Sequence, residues 1–150
     1  MKYPDGIELV LTYKHDPEDT EIFTERVDAV KVGNYYKLVH VPAIAPNIAY
    51  GDIVKVEYGD GEFYFDELIE ESGFSVAHVI IWMPQCKDRI ISTLDKFGCG
   101  VNTHLADNYM VISIPPELLY TPVRAFLMAE KALENIDFGD WLSKIHASQV

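Results

Sequence analysis

In residues 1–73, apolar and polar positions alternate with a period of two, in short runs. IELVLTYKH (7–15), ERVDAVKVG (25–33), YYKLVHVP (35–42), DIVKVEY (52–58) and EFYFDELIE (62–70) each predict a strand. In DIVKVEY, Val54, Val56 and Tyr58 fall on one side and Ile53, Lys55 and Glu57 on the other. The short breaks at Gly33-Asn34 and at Gly59-Asp60-Gly61 suit hairpins. PAIAPNIAYGD (42–52), with two prolines, predicts an irregular loop. Together these runs predict a small antiparallel sheet that is barrel-like in its curl.

From residue 74 the rhythm changes. FSVAHVIIW (74–82) is a strongly apolar strand. KDRIISTLDKFG (87–98) carries apolar residues at 90, 91, 94 and 97, the helical spacing, and ends in glycine. CGVNTHLA (99–106) and YMVISIP (109–115) predict strands joined by a tight turn at Asp107-Asn108. PELLYTPVRAFLMAEKALEN (116–135) predicts a helix with an irregularity at Pro122, and GDWLSKI (139–145) a last helical turn. Val79, Ile81, Val111, Ile112, Phe126, Leu127 and Leu133 read as core, and Trp82 and Trp141 as core or core rim. The expected fold class is α+β: an N-terminal antiparallel sheet continuing, through residues 62–82, into a ferredoxin-like βαββα unit. The expected organisation is one domain, 1–150. Residues 1–73 are mainly strands, and 74–150 form a split βαβ-like unit with C-terminal helices.

Composition narrows the classes. Apolar residues make up 49% of the chain, enough to fill a core and unlike a disordered segment. No apolar run reaches the roughly 18 residues of a membrane span, and MKYPDGIELV has no signal-peptide pattern, so a cytoplasmic protein is expected. Cys86 and Cys99 lie far apart with no CxxC, which fits reduced thiols better than zinc. Net charge is −12 and uneven: residues 1–83 hold 16 acids and 6 bases, net −10, against −2 for the remainder. Such a surface repels nucleic acid and anionic membrane and attracts basic partners; it also keeps a protein in solution.

The acids concentrate in GDGEFYFDELIEESG (59–73), which has six carboxylates and no Lys or Arg. A catalytic pair is one reading, with Glu62 and Asp66 at i, i+4. It requires an apolar pocket to raise one pKa, and this run is full of solvent-facing acids. A calcium loop does not fit, because the D-x-D-x-D-G order is missing. The histidines at 15, 40, 78, 104 and 146 form no HxxxH or HExxH. No GxSxG, P-loop or GxGxxG is present, so neither nucleophilic catalysis nor a phosphate-bearing cofactor is expected, and SGFS around Ser72 and Ser75 reads as a turn. Two readings stay open for the acids. One is a solvated face, the usual fate of a charge run. The other is a docking surface in which carboxylates mimic phosphates, formed by Asp60, Glu62, Asp66, Glu67, Glu70 and Glu71 beside Tyr64, with Tyr58 and Tyr50 nearby. DPEDTEIFTE (16–25) adds further acids.

YYKLVHVPAIAPNIAYGDIVKVEYGDGEFYFDELIEESGFSVAHVII (35–81) resembles a bacterial family known as domain-of-unknown-function family 4265. The carrying pieces are an aromatic-led strand into a proline-containing turn, Tyr50-Gly51-Asp52, then an acidic strand into Glu71-Ser72-Gly73 and Ser75. LDKFGCGVNTHLADNYMVISIPPE is similar to the family's L-x-x-x-G-C segment and the strand after it. The resemblance spans roughly residues 21–142. Members often carry Arg at the position of His78 and Glu at that of Asn102. The resemblance supports the fold reading and implies no activity.

The functional expectation is a non-enzymatic binding protein, in its sharp form an immunity protein that occludes a basic bacterial toxin such as a nuclease. The partner surface would be Asp60, Glu62, Tyr64, Asp66, Glu67, Glu70 and Glu71, with no metal and no cofactor. The alternative is a regulatory protein that binds a small molecule as a ferredoxin-like dimer, with LADNYMVISIP as the pairing edge.

Overall fold

The computed structural model describes residues 5–14, 16, 18, 20–45 and 47–150. His15, and Asp19 of the stretch DPEDTEIFTE, lie outside the described residues. The chain divides into two compact units, residues 1–72 and 73–150.

The first unit holds β1 (Gly6–Tyr13), β2 (Phe23–Val32), β3 (Tyr35–Leu38), β4 (Ile53–Gly59) and β5 (Glu62–Glu70). Each consecutive pair is antiparallel. The sheet curls until β1 meets β5, and the seam is short: two residue pairs, Leu9↔Phe63 and Val10↔Tyr64, running parallel. Period-two alternation drives this curl by turning Leu9, Leu11, Val27, Ala29, Leu38 and Val54 inward onto one core. Ala45 and Ile48, from the proline-bearing loop, plug the same core. The two hairpin turns fall where the sequence puts them, with Val32 facing Tyr35 and Gly59 facing Glu62.

One feature of β5 is not visible in its alternation. Between Val56↔Phe65 and Lys55↔Glu67 the register skips Asp66, and between Val54↔Leu68 and Ile53↔Glu70 it skips Ile69. These are bulges, each adding a residue that the partner strand does not match. Phe65 and Leu68 both pack on the core although three positions separate them, which a flat strand would forbid.

The second unit holds β6 (Ser75–Ile81), a 3-10 turn at Pro84–Cys86, α1 (Lys87–Phe97), β7 (Gly100–Ala106), β8 (Tyr109–Ile114), α2 (Tyr120–Ala132), β9 (Ile136–Trp141) and α3 (Lys144–Ala147). The sheet order is β7-β8-β6-β9, with every neighbouring pair antiparallel. Ala77, Val79 and Ile81 from β6 and Met110, Ile112 and Ile114 from β8 turn to one face. There they meet Ile90 and Leu94 of α1 and Tyr120, Val123 and Leu127 of α2, residues three or four apart as an amphipathic helix requires.

Four expectations need correction. The sheet does not continue through residues 62–82, since β5 and β6 belong to different sheets. In GDWLSKI (139–145), expected as a last helical turn, residues 139–141 belong to β9 and the helical turn comes later, at α3. In IDFGDW, Ile136 and Phe138 turn to the core while Asp137 and Gly139 do not, so a period of two was present, masked by residues of low strand preference. The helix at 116–135 starts only at Tyr120, which puts Pro122 in the first turn, where a missing N–H costs little. Most of LADNYMVISIP is no edge: Tyr109–Ile114 form β8, which lies between β7 and β6, and only Leu105 and Ala106 sit on an edge strand, β7, the other edge being β9.

Two core assignments also fail. Trp82 is 56% exposed and Leu133 is 67% exposed, because each sits just past the end of its element, beyond the packed layer. Among the described residues, no helix is long and apolar enough to cross a membrane.

Candidate functional site

The acids of the β4–β5 hairpin are not equivalent. Asp60 sits at the tip in the two-residue turn, with φ of 52°, a conformation that Asp tolerates better than most residues. Glu62 bonds Arg26 Nη1 at 2.6 Å, and that same guanidinium nitrogen reaches Glu8 at 3.0 Å. Tyr64 O–H donates to Glu62 at 3.1 Å, as residues two apart on one strand face can. The Arg26 guanidinium, with the tyrosine hydroxyl after it, holds the Glu62 carboxyl below the usual range. Asp66, the bulged residue, lies 3.6 Å from Lys55 on β4. Glu67 and Glu70 are exposed, and Glu71 is half-buried close to the charge of Asp52.

The seven expected residues therefore do not form one cluster. Nine residues of strand extend about 27 Å from Glu62 to Glu70. Cations from β2 and β4, remote in sequence, neutralise Glu62 and Asp66. Asp60, Glu67 and Glu70 remain exposed without a bonded partner among the described residues, and Glu57 and Tyr58 on β4 add an exposed carboxylate and a ring that is 65% exposed. In the segment 16–25, Glu25 is withdrawn from any surface role. Its carboxylate accepts the backbone N–H groups of Ala43 (2.5 Å), Ile44 (3.0 Å) and Ala45 (2.8 Å), which folds the proline-bearing loop over the core.

A second carboxylate turns inward at the Tyr50-Gly51-Asp52 turn. Asp52 is fully buried; one oxygen accepts Ala49 N–H at 2.9 Å and the other accepts Ser72 N–H at 2.9 Å. Ser72 O–H donates to the carbonyl of Tyr50 at 2.7 Å. Gly51 takes φ of 84°, and a Cβ there would lie 3.1 Å from that of Ser72. Gly73, at φ 91°, leaves even less room, since its Cβ would stand 2.9 Å from Pro116. Burial pushes the Asp52 carboxyl above its usual value, against the pull of its two backbone donors. The two short segments that carry the family resemblance thus meet face to face and lock each other.

The second unit contains a serine–histidine pair that the sequence had reduced to a turn. Ser75 Oγ lies 2.5 Å from His146 Nδ1 and accepts Ser143 N–H at 2.8 Å. His146 Nε2 lies 3.0 Å from the carbonyl of Leu118, which can only accept, so Nε2 donates to it. The arrangement is that of a nucleophile with its base. Ser75, Ser143 and His146 are all fully buried, so no substrate reaches the hydroxyl, and the group pins α3 to the start of β6. Arg89 and Glu130 make a further bond of this kind, at 2.5 and 3.0 Å between α1 and α2; the ion pair holds the Glu130 carboxyl below its usual range. Burial pushes the Cys99 thiol up to about 11, which suits a packing residue and not a nucleophile.

The comparisons fit these observations. A solved structure of a hypothetical protein from Neisseria gonorrhoeae shares the fold: the TM-score is 0.78 at 22% identity, over 89% of this chain and 92% of that one. No curated protein matches. The model of the family described as domain of unknown function (DUF4265) matches residues 25–137, a span that takes in both the Asp52 lock and the β4–β5 hairpin. The chain belongs to that family.

Proposed function

We propose that this is a non-enzymatic binding protein whose β4–β5 hairpin docks a basic protein, and that the partner is a basic bacterial toxin, with a nuclease as the favoured class. The observation that carries the reading is the set Asp60, Glu67 and Glu70, exposed on a paired hairpin without a bonded partner among the described residues, with the exposed Glu57 on the strand face that carries Glu67. Carboxylates on a rigid element can stand in for phosphates in a basic cleft. Glu62, Tyr64, Asp66 and Glu71, on β5 or directly after it, take supporting roles, since each already has a partner or a charged neighbour. We place the protein in the cytoplasm, for which the two free thiols speak. We also read the second unit as ferredoxin-like: the order β7-β8-β6-β9, with helices following β6 and β8, supports a split βαβ unit.

The test is capture from the host at low salt with the tagged chain as bait, elution by a salt step, and mass spectrometry, followed by a nuclease assay of what is released. The control bait carries Asp60→Asn, Glu67→Lys and Glu70→Lys, which spares Asp66 and Glu71 with their structural neighbours. A basic protein held by the native bait and lost from the control supports the reading. Equal capture by both baits removes the hairpin from the interface.

A second reading, a small-molecule regulator, has one observation in its favour. A cleft of about 250 Å³ in the second unit is lined by His78, Ile80, Tyr109, Asp137, Phe138 and Gly139, with the His78 ring nitrogen bonded to the Tyr109 hydroxyl. Native mass spectrometry of freshly purified protein tests it. A discrete added mass favours the regulator, and the bare chain mass counts against it.

A further inference from the structure

Trp82 stands where β6 has ended, 56% exposed, with Met83 beside it at 41%. The backbone that carries it is held. Its backbone N–H donates to the carbonyl of Asn135 at 2.9 Å, and that of Met83 donates to the same oxygen at 3.2 Å. Asn135 is fixed in turn: its side-chain N–H donates to Glu130 at 2.8 Å and its backbone N–H to the Glu130 carbonyl at 3.1 Å. An indole is thereby displayed on a rigid backbone at the mouth of an open cleft of about 440 Å³, lined also by Lys131, Glu134, Ile136 and Asp137.

The charges around it are sorted. Lys131 is committed: its ammonium lies 3.2 Å from Asp137 and 5.9 Å from the centre of the Phe138 ring. Asp137 also accepts Phe138 N–H at 2.9 Å, and the lysine holds its carboxyl below the usual range. Glu134 has no such partner among the described residues. It is exposed and sits at φ of 61°, a left-handed conformation in which a glutamate is strained and glycine or asparagine is the usual choice after a helix. An exposed carboxylate lining the same cleft as an exposed indole suits a cation that lies on the ring and pairs with the acid.

We propose that Trp82 and Glu134 form a clamp for a cationic side chain, guanidinium or ammonium, presented by a basic segment of a partner protein. This goes beyond the hairpin reading, uses other residues and does not depend on it.

The test uses the full chain with Trp141→Phe, which leaves Trp82 as its only tryptophan. A blocked hexa-arginine peptide is titrated at low salt while the indole emission is followed, with hexa-glutamate as control. Saturable change with the arginine peptide and none with the glutamate peptide is expected. Glu134→Gly should weaken the apparent affinity about fivefold or more, the loss of one cation contact and its charge pair. The same substitution should raise the thermal midpoint, because glycine accepts this backbone freely, so lost binding cannot be put down to unfolding. Glu134→Gln, which keeps the backbone strain, should lose binding likewise. The proposal fails if Trp82 emission does not respond. It also fails if both Glu134 variants respond within twofold of the parent, or if the response disappears in the Asp60→Asn, Glu67→Lys, Glu70→Lys hairpin variant while surviving in Glu134→Gly. That last pattern would trace the signal to the hairpin's charge.

Discussion

At the Tyr50-Gly51-Asp52 turn a carboxylate is fully buried, with a backbone N–H on each oxygen. A few residues further along, at the Asp60-Gly61 turn and down β5, carboxylates of the same chemistry stand in solvent, some bonded to Arg26 or Lys55 and some without a bonded partner among the described residues. Both regions are acidic, both follow a strand-turn pattern, and both lie within the span matched by the family. The difference lies in where the donors come from. Asp52 is answered by amides of its own turn and of Ser72, so it can be dehydrated without ever being unpaired. The β5 acids have only the scattered cations of neighbouring strands, so they remain hydrated. The segments of the family resemblance that meet at Asp52 therefore describe how the fold closes. The acids left exposed on the hairpin are the ones free for the partner proposed above.

The largest effect that could break this contrast comes from Asp52→Ala. It strands the buried Ala49 N–H and the part-buried Ser72 N–H, each worth about 1–3 kcal/mol when left unsatisfied, so a loss of about 3 kcal/mol is expected in urea unfolding. Asp52→Asn retains one acceptor and should fall between. A loss under about 0.5 kcal/mol for Asp52→Ala, the usual range for a surface change, would mean that this carboxylate is no different from those on β5.

Next comes Arg89→Met, which leaves Glu130 buried without its guanidinium. Half of the Arg89 side chain is in solvent, so the loss should be smaller than for Asp52→Ala. The pH dependence gives the sharper reading, because the two carboxyls are shifted in opposite directions. The folded state lowers the Glu130 pKa, so its contribution is fully present above the unfolded value near 4.5 and is lost as pH falls through the folded value. The folded state raises the Asp52 pKa, so its contribution is greatest below the unfolded value near 3.8 and is lost as pH rises through the folded value. Urea midpoints measured from pH 3 to pH 7 should therefore lose part of their acid-side fall in Arg89→Met and gain steepness there in Asp52→Asn. Unchanged profiles in both variants would show that neither group titrates differently on folding.

Much of the first unit was legible because hairpin chemistry is local: Gly33-Asn34 and Asp60-Gly61 announce their turns within two residues. α1 was legible because Ile90, Ile91, Leu94 and Phe97 state a helical period and glycine ends it. β9 was not, because Asp137, Gly139 and Asp140 disfavour a strand, and β6 supplies what they lack by pairing along all six residues. The bulges of β5 were hidden for a related reason: they exist only relative to the register of β4. The acidic face was half legible. The sequence of β5 shows no cation, and so overstates its charge, because Arg26 and Lys55 arrive from β2 and β4. Trp82 was misplaced because composition says what an indole prefers to bury, while its exposure follows from where β6 stops.

The smallest expected effect on stability is the most informative about the hairpin. Glu67→Lys and Glu70→Lys should each change folding stability by no more than about 0.5 kcal/mol, with the unfolding slope unchanged, since both side chains are exposed and without a bonded partner among the described residues. Glu67 lies opposite Lys55 in the register, so its reversal sets two lysines side by side, and its small cost should shrink further as salt is added. Glu70 faces Ile53 across the strand pair and should show no such salt dependence. If the two reversals instead cost as much as Asp52→Ala, the β5 acids are structural after all, and the contrast between an answered and an unanswered carboxylate fails. If they cost nothing and the association rate with a captured basic partner drops steeply with each, most of all at low salt, then the charge that folding does not use is the charge that binding does.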